Sequence, residues 1–147
     1  MDKYKILGKV GEGTFGKVSK AVNTQTNEVV AIKVFKITTS WEEATQMMEV
    51  RALKKLNNHP NVIRVFELIR RNEQIYIVQE CCQRSLLAEM EQRNKSNKPF
   101  SEQEIKIIIG QALSALAYSH RSGLMHRDVK PENFLVKENQ EGETSWT

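Results

Sequence analysis

Three polar residues late in the sequence carry its densest chemistry. In His126-Arg127-Asp128-Val129-Lys130-Pro131-Glu132-Asn133-Phe134-Leu135-Val136, two oxygen acceptors, Asp128 and Asn133, stand on either side of a cation, Lys130. Pro131 fixes its own φ and biases Lys130 away from helical backbone, so the segment reads as a rigid loop feeding a short strand. Such a loop can hold a hydroxyl, a phosphate and a divalent ion in one small volume. Phosphoryl transfer needs that set: a carboxylate to orient the nucleophile, an amide oxygen for Mg²⁺ and a cation for developing charge. A lone Asp128 would more often be a loop carboxylate that caps backbone donors. Beside Lys130 and Asn133 the catalytic reading is favoured.

The elements that must hold this loop lie just before it. Ser101-Glu102-Gln103-Glu104 has capping-box spacing and opens a helix predicted to run to about Arg121, where Gly123 ends it. Ile105, Ile107, Ile108, Ile109, Ala112, Leu113, Leu116 and Ala117 cover more than one stripe of that helix, which predicts burial on most sides. Leu124-Met125 then leads into the loop, and His120 reads as a structural histidine at the helix end. Upstream, Ser85 to Met90 predict a short helix and Gln92 to Pro99 a polar loop.

The first half reads as strands around a glycine-rich turn. Tyr4 to Val34 suggest strand, turn, strand, polar turn, strand, the first turn being Gly11-Glu12-Gly13-Thr14-Phe15-Gly16-Lys17-Val18. Its glycines let backbone N–H groups approach phosphates closely, although a plain glycine hairpin has the same spacing. In Val29-Val30-Ala31-Ile32-Lys33-Val34-Phe35, alternation puts Ala31 and Lys33 on one face. Small Ala31 leaves room for a flat ring, and Lys33 can reach phosphates. A helix from Ser40 to about Leu56 carries Glu49 on its apolar stripe beside Met48, Ala52 and Leu53, where a carboxylate calls for a cation, with Lys33 the natural partner. Val62–Ile69 and Ile75–Glu80 predict an antiparallel pair, which runs into Glu80-Cys81-Cys82.

In this order the motifs resemble a eukaryotic Ser/Thr protein kinase of the cyclin-dependent and MAP kinase-like group. The stretch from Ser40 through Leu56 is similar to the male germ cell-associated kinase branch, whose members act in cilia. The resemblance implies an α+β, bilobal protein-kinase-like fold: a complete β-rich N-lobe with helix C over 1–80, then the hinge and the start of the α-helical C-lobe over 81–147. It implies ATP and Mg²⁺ as cofactors, and protein substrates, an activating kinase or a regulatory protein as partners. Carried over by motif, Asp128 orients the substrate hydroxyl, Lys130 stabilises the γ-phosphate and Lys33 pairs with Glu49. Asn133 binds Mg²⁺. The nucleotide is enclosed by Val10 through Val18, Ala31 and Leu135, and its adenine edge meets main-chain groups of Glu80 and Cys82. Gln79 stands at the back of the pocket, where relatives often carry a bulky apolar residue.

Composition narrows the alternatives. The net charge of +4 is mild, no long basic run occurs and aromatic residues do not cluster with basic ones, so nucleic acid is not an expected partner. The adjacent Cys81 and Cys82 suit neither a disulfide framework nor a metal site, and a reducing compartment fits them. No run approaches the roughly 20 apolar residues of a membrane span. A cytoplasmic protein is expected, with nucleus or cilium following from the resemblance. After Val136 the sequence departs from the family pattern: Lys137 to Thr147 are polar and acidic, without Asp-Phe-Gly. They are expected to form an extended loop ahead of a missing strand, in an incomplete catalytic domain. The competing expectation is a nucleotide-binding or interaction module without catalysis.

Overall fold

A computed structural model of the chain describes residues 1–13, 16–36, 52, 55–72, 74–138 and 144–147, which divide into two compact units. The first holds Met1–Asn57 and Ile63–Cys81; the second holds Asn58–Val62 and Cys82–Thr147. Most of the helix expected over 40–56, Glu49 included, lies outside the described residues. Ala52, Lys55 and Leu56, at its end, are helical.

The first unit is a five-stranded antiparallel sheet of β1 (Tyr4–Gly13), β2 (Gly16–Asn23), β3 (Val29–Lys36), β4 (Val65–Arg71) and β5 (Gln74–Glu80), in the order β1-β2-β3-β5-β4. The glycine-rich turn thus joins two paired strands, as expected of a hairpin. Asn27 and Asn72 take positive φ in the polar turns, a conformation asparagine tolerates better than most residues. β4 begins at Val65, later than the expected Val62. Asn57 accounts for the difference: its amide donates to the Val65 carbonyl at 3.0 Å and accepts the Val65 N–H at 2.6 Å, standing in for a neighbouring strand.

Alternation divides the sheet into two faces. Ala21, Val30, Ile32 and Val78 form a buried cluster on one, with Met1, Tyr4, Val34, Ile69 and Tyr76 packed around it. Across this face the Tyr4 hydroxyl donates to the Glu67 carboxylate, and Lys3 Nζ lies 3.1 Å from the same group. Burial, then the hydrogen bond to Glu67, pushes the Tyr4 phenol well above its ordinary range. The opposite face carries Ala31 and Lys33, opposed by Gln79 and Ile77 on β5 and by Lys20 and Val18 on β2.

The second unit combines two helices with a three-stranded sheet. Helix α1 (Leu86–Lys95) is capped by Ser85, whose Oγ accepts the Ala88 N–H at 3.2 Å. It extends through Gln92–Lys95, where a polar loop was expected. Glu89 and Arg93 explain the extension: Arg93 Nε donates to Glu89 at 2.7 Å along the helix, and its Nη2 reaches Glu104 at 2.7 Å. Helix α2 (Glu102–Arg121) starts with the expected capping box of Ser101 and Glu104. The Arg93 bond, followed by those from Ser101, lowers the Glu104 carboxyl to about 2.

The sheet is β6 (Arg84–Ser85), β7 (Leu135–Glu138) and β8 (Thr144–Trp146), with β7 in the middle. β8 corrects the expectation of a loop ahead of a missing strand. Trp146, only 6% exposed, packs with Ile108 and Val136 against Leu86 and Phe100. Its N–H donates to Gln111 Oε1 at 2.7 Å and its carbonyl accepts from Asn61 Nδ2 at 2.9 Å. Leu135 and Thr147 exchange both backbone bonds, at 2.6 and 2.9 Å. One large apolar side chain and a full set of backbone partners outweigh a polar context.

Asn61 is itself held by His59, whose Nδ1 accepts the Asn61 N–H at 3.1 Å. The His59 ring stacks on Tyr118 with centroids 4.9 Å apart, and its Nε2 lies 3.2 Å from Ser114 Oγ. On α2, Ile108 is buried while Ile105, Ile107, Ile109 and Leu113 are exposed, so burial on most sides is not observed. Trp146→Ala should therefore destabilise the second unit by about 3–5 kcal/mol, whereas truncating exposed Ile105 should change stability by less than about 0.5 kcal/mol. Urea unfolding followed by circular dichroism measures both, and equal losses would show that β8 is not part of the core.

Candidate functional site

The loop between α2 and β7 brings Asp128, Lys130 and Asn133 into mutual contact. Lys130 is extended, at φ −158° and ψ 158°, as its place before Pro131 requires. Pro131–Asn133 then form one turn of 3₁₀ helix, closed by the Asn133 N–H donating to the Lys130 carbonyl at 3.0 Å. That turn brings Asn133 back over Asp128. Asn133 Nδ2 donates to the Asp128 carbonyl at 2.7 Å and to Asp128 Oδ2 at 2.9 Å. Lys130 Nζ completes the group, 3.0 Å from the same carboxylate oxygen.

The three side chains are exposed, so the ion pair is screened by water and contributes little to stability. Its effect is on protonation. The Lys130 bond, then the Asn133 bond, holds the Asp128 carboxyl below the usual carboxylate range. Lys130 is raised by the same contact and stays charged. The loop therefore presents an ionised carboxylate and an ammonium. With both amide protons directed at Asp128, Asn133 has its Oδ1 as the remaining acceptor.

Two supports of this group were not assigned from sequence. His126 Nδ1 accepts the Asp128 N–H at 3.3 Å, which orients the backbone of the carboxylate. His126 lies in the motif itself, and its position two residues before Asp128 was the available signal. Arg127 takes φ +64°, a left-handed conformation that costs a non-glycine residue about 1–3 kcal/mol. No feature of the residue type signals it. Leu135, expected under an adenine, is half-buried at the start of β7.

The other expected site residues belong to the first unit, except Cys82. Gly11 is opposite Val18 across the hairpin, and Val18 is opposite Lys33, so the glycine turn, Val18, Ala31 and Lys33 share one region of the sheet. Val10 is an exposed residue at a β-bulge, and Lys17 is exposed on β2. The backbones of Glu12, Gly13 and Gly16 are in the strands, while Thr14 and Phe15 lie outside the described residues. Gln79 is opposite Ala31 across β3 and β5. Glu80 is buried, and it clasps Arg64 twice: its N–H donates to the Arg64 carbonyl at 2.9 Å, and its Oε1 accepts the Arg64 N–H at 2.8 Å. Cys81 and Cys82 are half-buried thiols, and burial pushes Cys81 upward, towards the unreactive protonated form.

Residues 4–143 match the family model described as the protein kinase domain. Cyclin-dependent kinase F-4 of Oryza sativa subsp. japonica is 44% identical over 137 residues, covering 92% of this chain and 29% of that protein. Serine/threonine-protein kinase MAK of Mus musculus is 42% identical over 136 residues, covering 92% of this chain and 21% of that protein. Serine/threonine-protein kinase ICK of Rattus norvegicus is 39% identical over 136 residues, again 92% of this chain and 21% of that protein. The chain thus spans 21–29% of the length of these curated relatives.

The loop geometry has a direct spectroscopic consequence. Lys130 contributes most to the lowering of Asp128, so Lys130→Met should raise the Asp128 titration point more than Asn133→Ala does. A carbon-detected NMR titration of the side-chain carboxyl reads both shifts. Equal shifts, or a larger one for Asn133→Ala, would contradict the contact described.

Proposed function

The chain belongs to the protein kinase domain family, and from that premise we propose that it transfers the γ-phosphoryl group of ATP to serine or threonine hydroxyls of protein substrates. The observation that carries this reading is the contact group of Asp128, Lys130 and Asn133. In it Asp128, ionised and fixed, accepts a hydrogen bond from the substrate hydroxyl and orients its oxygen towards phosphorus. Lys130 stands beside that carboxylate and meets charge gathering on the transferred group, as in Ser/Thr rather than Tyr kinases.

A divalent ion fits this donor set. Mg²⁺ takes oxygen ligands, and in phosphoryl-transfer sites it uses one or two protein ligands plus phosphate oxygens. Asn133 supplies Oδ1, held in place by its own two N–H bonds to Asp128. Among the described residues no group of three or more His, Cys, Asp or Glu side chains could form an all-protein metal cage. When bound, Mg²⁺ neutralises phosphate charge and orients the phosphates. In this reading Gly11, Gly13 and Gly16 offer main-chain donors to the phosphates, Ala31 accommodates the adenine ring, and the family resemblance assigns Glu49 to Lys33 as its partner. The family resemblance assigns main-chain groups of Glu80 and Cys82 to the adenine edge and Leu135 to the adenine floor.

Protein substrates and an activating kinase or regulatory protein are the partners that go with this activity. Among the described residues no helix is long and apolar enough to cross a membrane. We place the activity in the cytoplasm, with nucleus or cilium suggested by the male germ cell-associated kinase resemblance.

Phosphate incorporation into a protein substrate tests the roles. Asp128→Asn should lower transfer by about 10²–10⁴-fold while leaving nucleotide affinity nearly intact. An equally large loss of affinity would assign the loop a purely structural role. Lys33→Ala and Glu49→Ala should each cut kcat/KM, with a combined loss well short of the sum, because partners in one interaction are non-additive. Additive losses would exclude the pair.

A further inference from the structure

Helix α2 ends in a turn that is bonded once more than such turns require. The Gly123 N–H donates to the His120 carbonyl at 2.9 Å and the Leu124 N–H to the Ser119 carbonyl at 3.0 Å, with Gly123 at φ +72°. This is a Schellman ending, in which the residues at the Ser119 and Leu124 positions frequently make an apolar contact. Here the helical partner is a serine, 6% exposed, and its Oγ donates to the Leu124 carbonyl at 2.9 Å. A serine within a helix commonly bonds back to a carbonyl three or four residues earlier. Ser119 bonds forward, across the end of the helix.

Ser119 therefore holds Leu124 at both main-chain groups: its carbonyl accepts the Leu124 N–H, and its hydroxyl donates to the Leu124 carbonyl. Each bond fixes the orientation of one planar peptide unit beside Leu124. The direction in which Met125 leaves the helix is then set by α2. One residue further on is His126, whose Nδ1 takes the Asp128 N–H. We propose that Ser119 is a positioning residue for the 126–133 loop, acting through the Leu124 carbonyl to fix where Asp128 stands. The catalytic meaning of that placement rests on the phosphoryl-transfer reading of Asp128.

Removing the hydroxyl leaves the Leu124 carbonyl without this donor and loosens the lead into the loop, while α2 keeps its two Schellman bonds. Amide hydrogen exchange on the 147-residue chain reads this directly. Ser119→Ala should speed exchange at Asp128 and Asn133 by about tenfold, the size expected from one lost buried hydrogen bond. Ser119→Thr, which keeps the hydroxyl, should restore the slow rate. Ser119→Cys keeps the volume with a weaker donor, and carries the measurement if the alanine variant fails to fold. In phosphate-transfer assays kcat should fall about tenfold with KM for ATP little changed, because positioning acts on the transition state. A lowered unfolding midpoint with exchange at Asp128 and Asn133 unaltered would overturn the proposal and leave Ser119 as a helix cap. Should Asp128→Asn leave transfer untouched while Ser119→Ala still accelerates exchange at Asp128, the positioning role stands and only the phosphoryl-transfer reading falls.

Discussion

An asparagine amide has two protons, and Asn133 directs both at Asp128. One reaches the main-chain carbonyl and one the carboxylate, so backbone and side chain of the same residue are set together. A carboxylate on an exposed loop would otherwise sample several rotamers, each solvated and none preferred. Here the rotamer is chosen by a residue five positions later, and that residue is brought round by Pro131. The remaining features of the loop serve this arrangement: the extended Lys130, the left-handed Arg127 and the His126 bond to the Asp128 N–H.

The loop is anchored at both ends by hydrogen bonds that do not depend on the loop itself. On one side, α2 ends at Gly123 and Ser119. On the other, β7 is the central strand of its sheet: the Gln83 N–H donates to the Val136 carbonyl at 2.9 Å, and Leu135 pairs with Thr147. Trp146 ties that sheet to α2 through Ile108 and Gln111. His59 and Asn61 bring a third segment to the same place, fastening the chain that precedes β4 to α2 and β8. Loop, helix and sheet are thus one packed piece.

Features written in local chemistry were legible in the sequence. The glycine hairpin, the capping box at Ser101, the helix stop at Gly123 and the alternation of Ala31 with Lys33 each follow from single-residue preferences. So did the grouping of Asp128, Lys130 and Asn133, because Pro131 narrows the backbone between them. What was not legible depends on partners distant in sequence. β8 has little alternation to announce it and exists because Trp146 finds Ile108 and Val136. The last turn of α1 is polar throughout, and Arg93 is steadied by Glu89 along the helix and by Glu104, eleven positions ahead. Ser119 is one of several polar residues on α2, and its hydroxyl finds its partner only because Leu124 turns back over it.

The bond from Tyr4 to Glu67 joins β1 to β4, and these are the two outermost strands of the first unit's sheet. Outermost strands are where a sheet can recruit a foreign chain, since their unpaired N–H and C=O groups form a ready template. Two further ties act at the same border: Lys3 on Glu67, and Arg71 Nη1 on Asp2 at 3.0 Å. Charged side chains and a crossing N-terminal segment therefore stand where an incoming strand would have to dock. A strand added at either edge would meet these charged side chains before it could pair, a consequence separate from any chemistry on the opposite face.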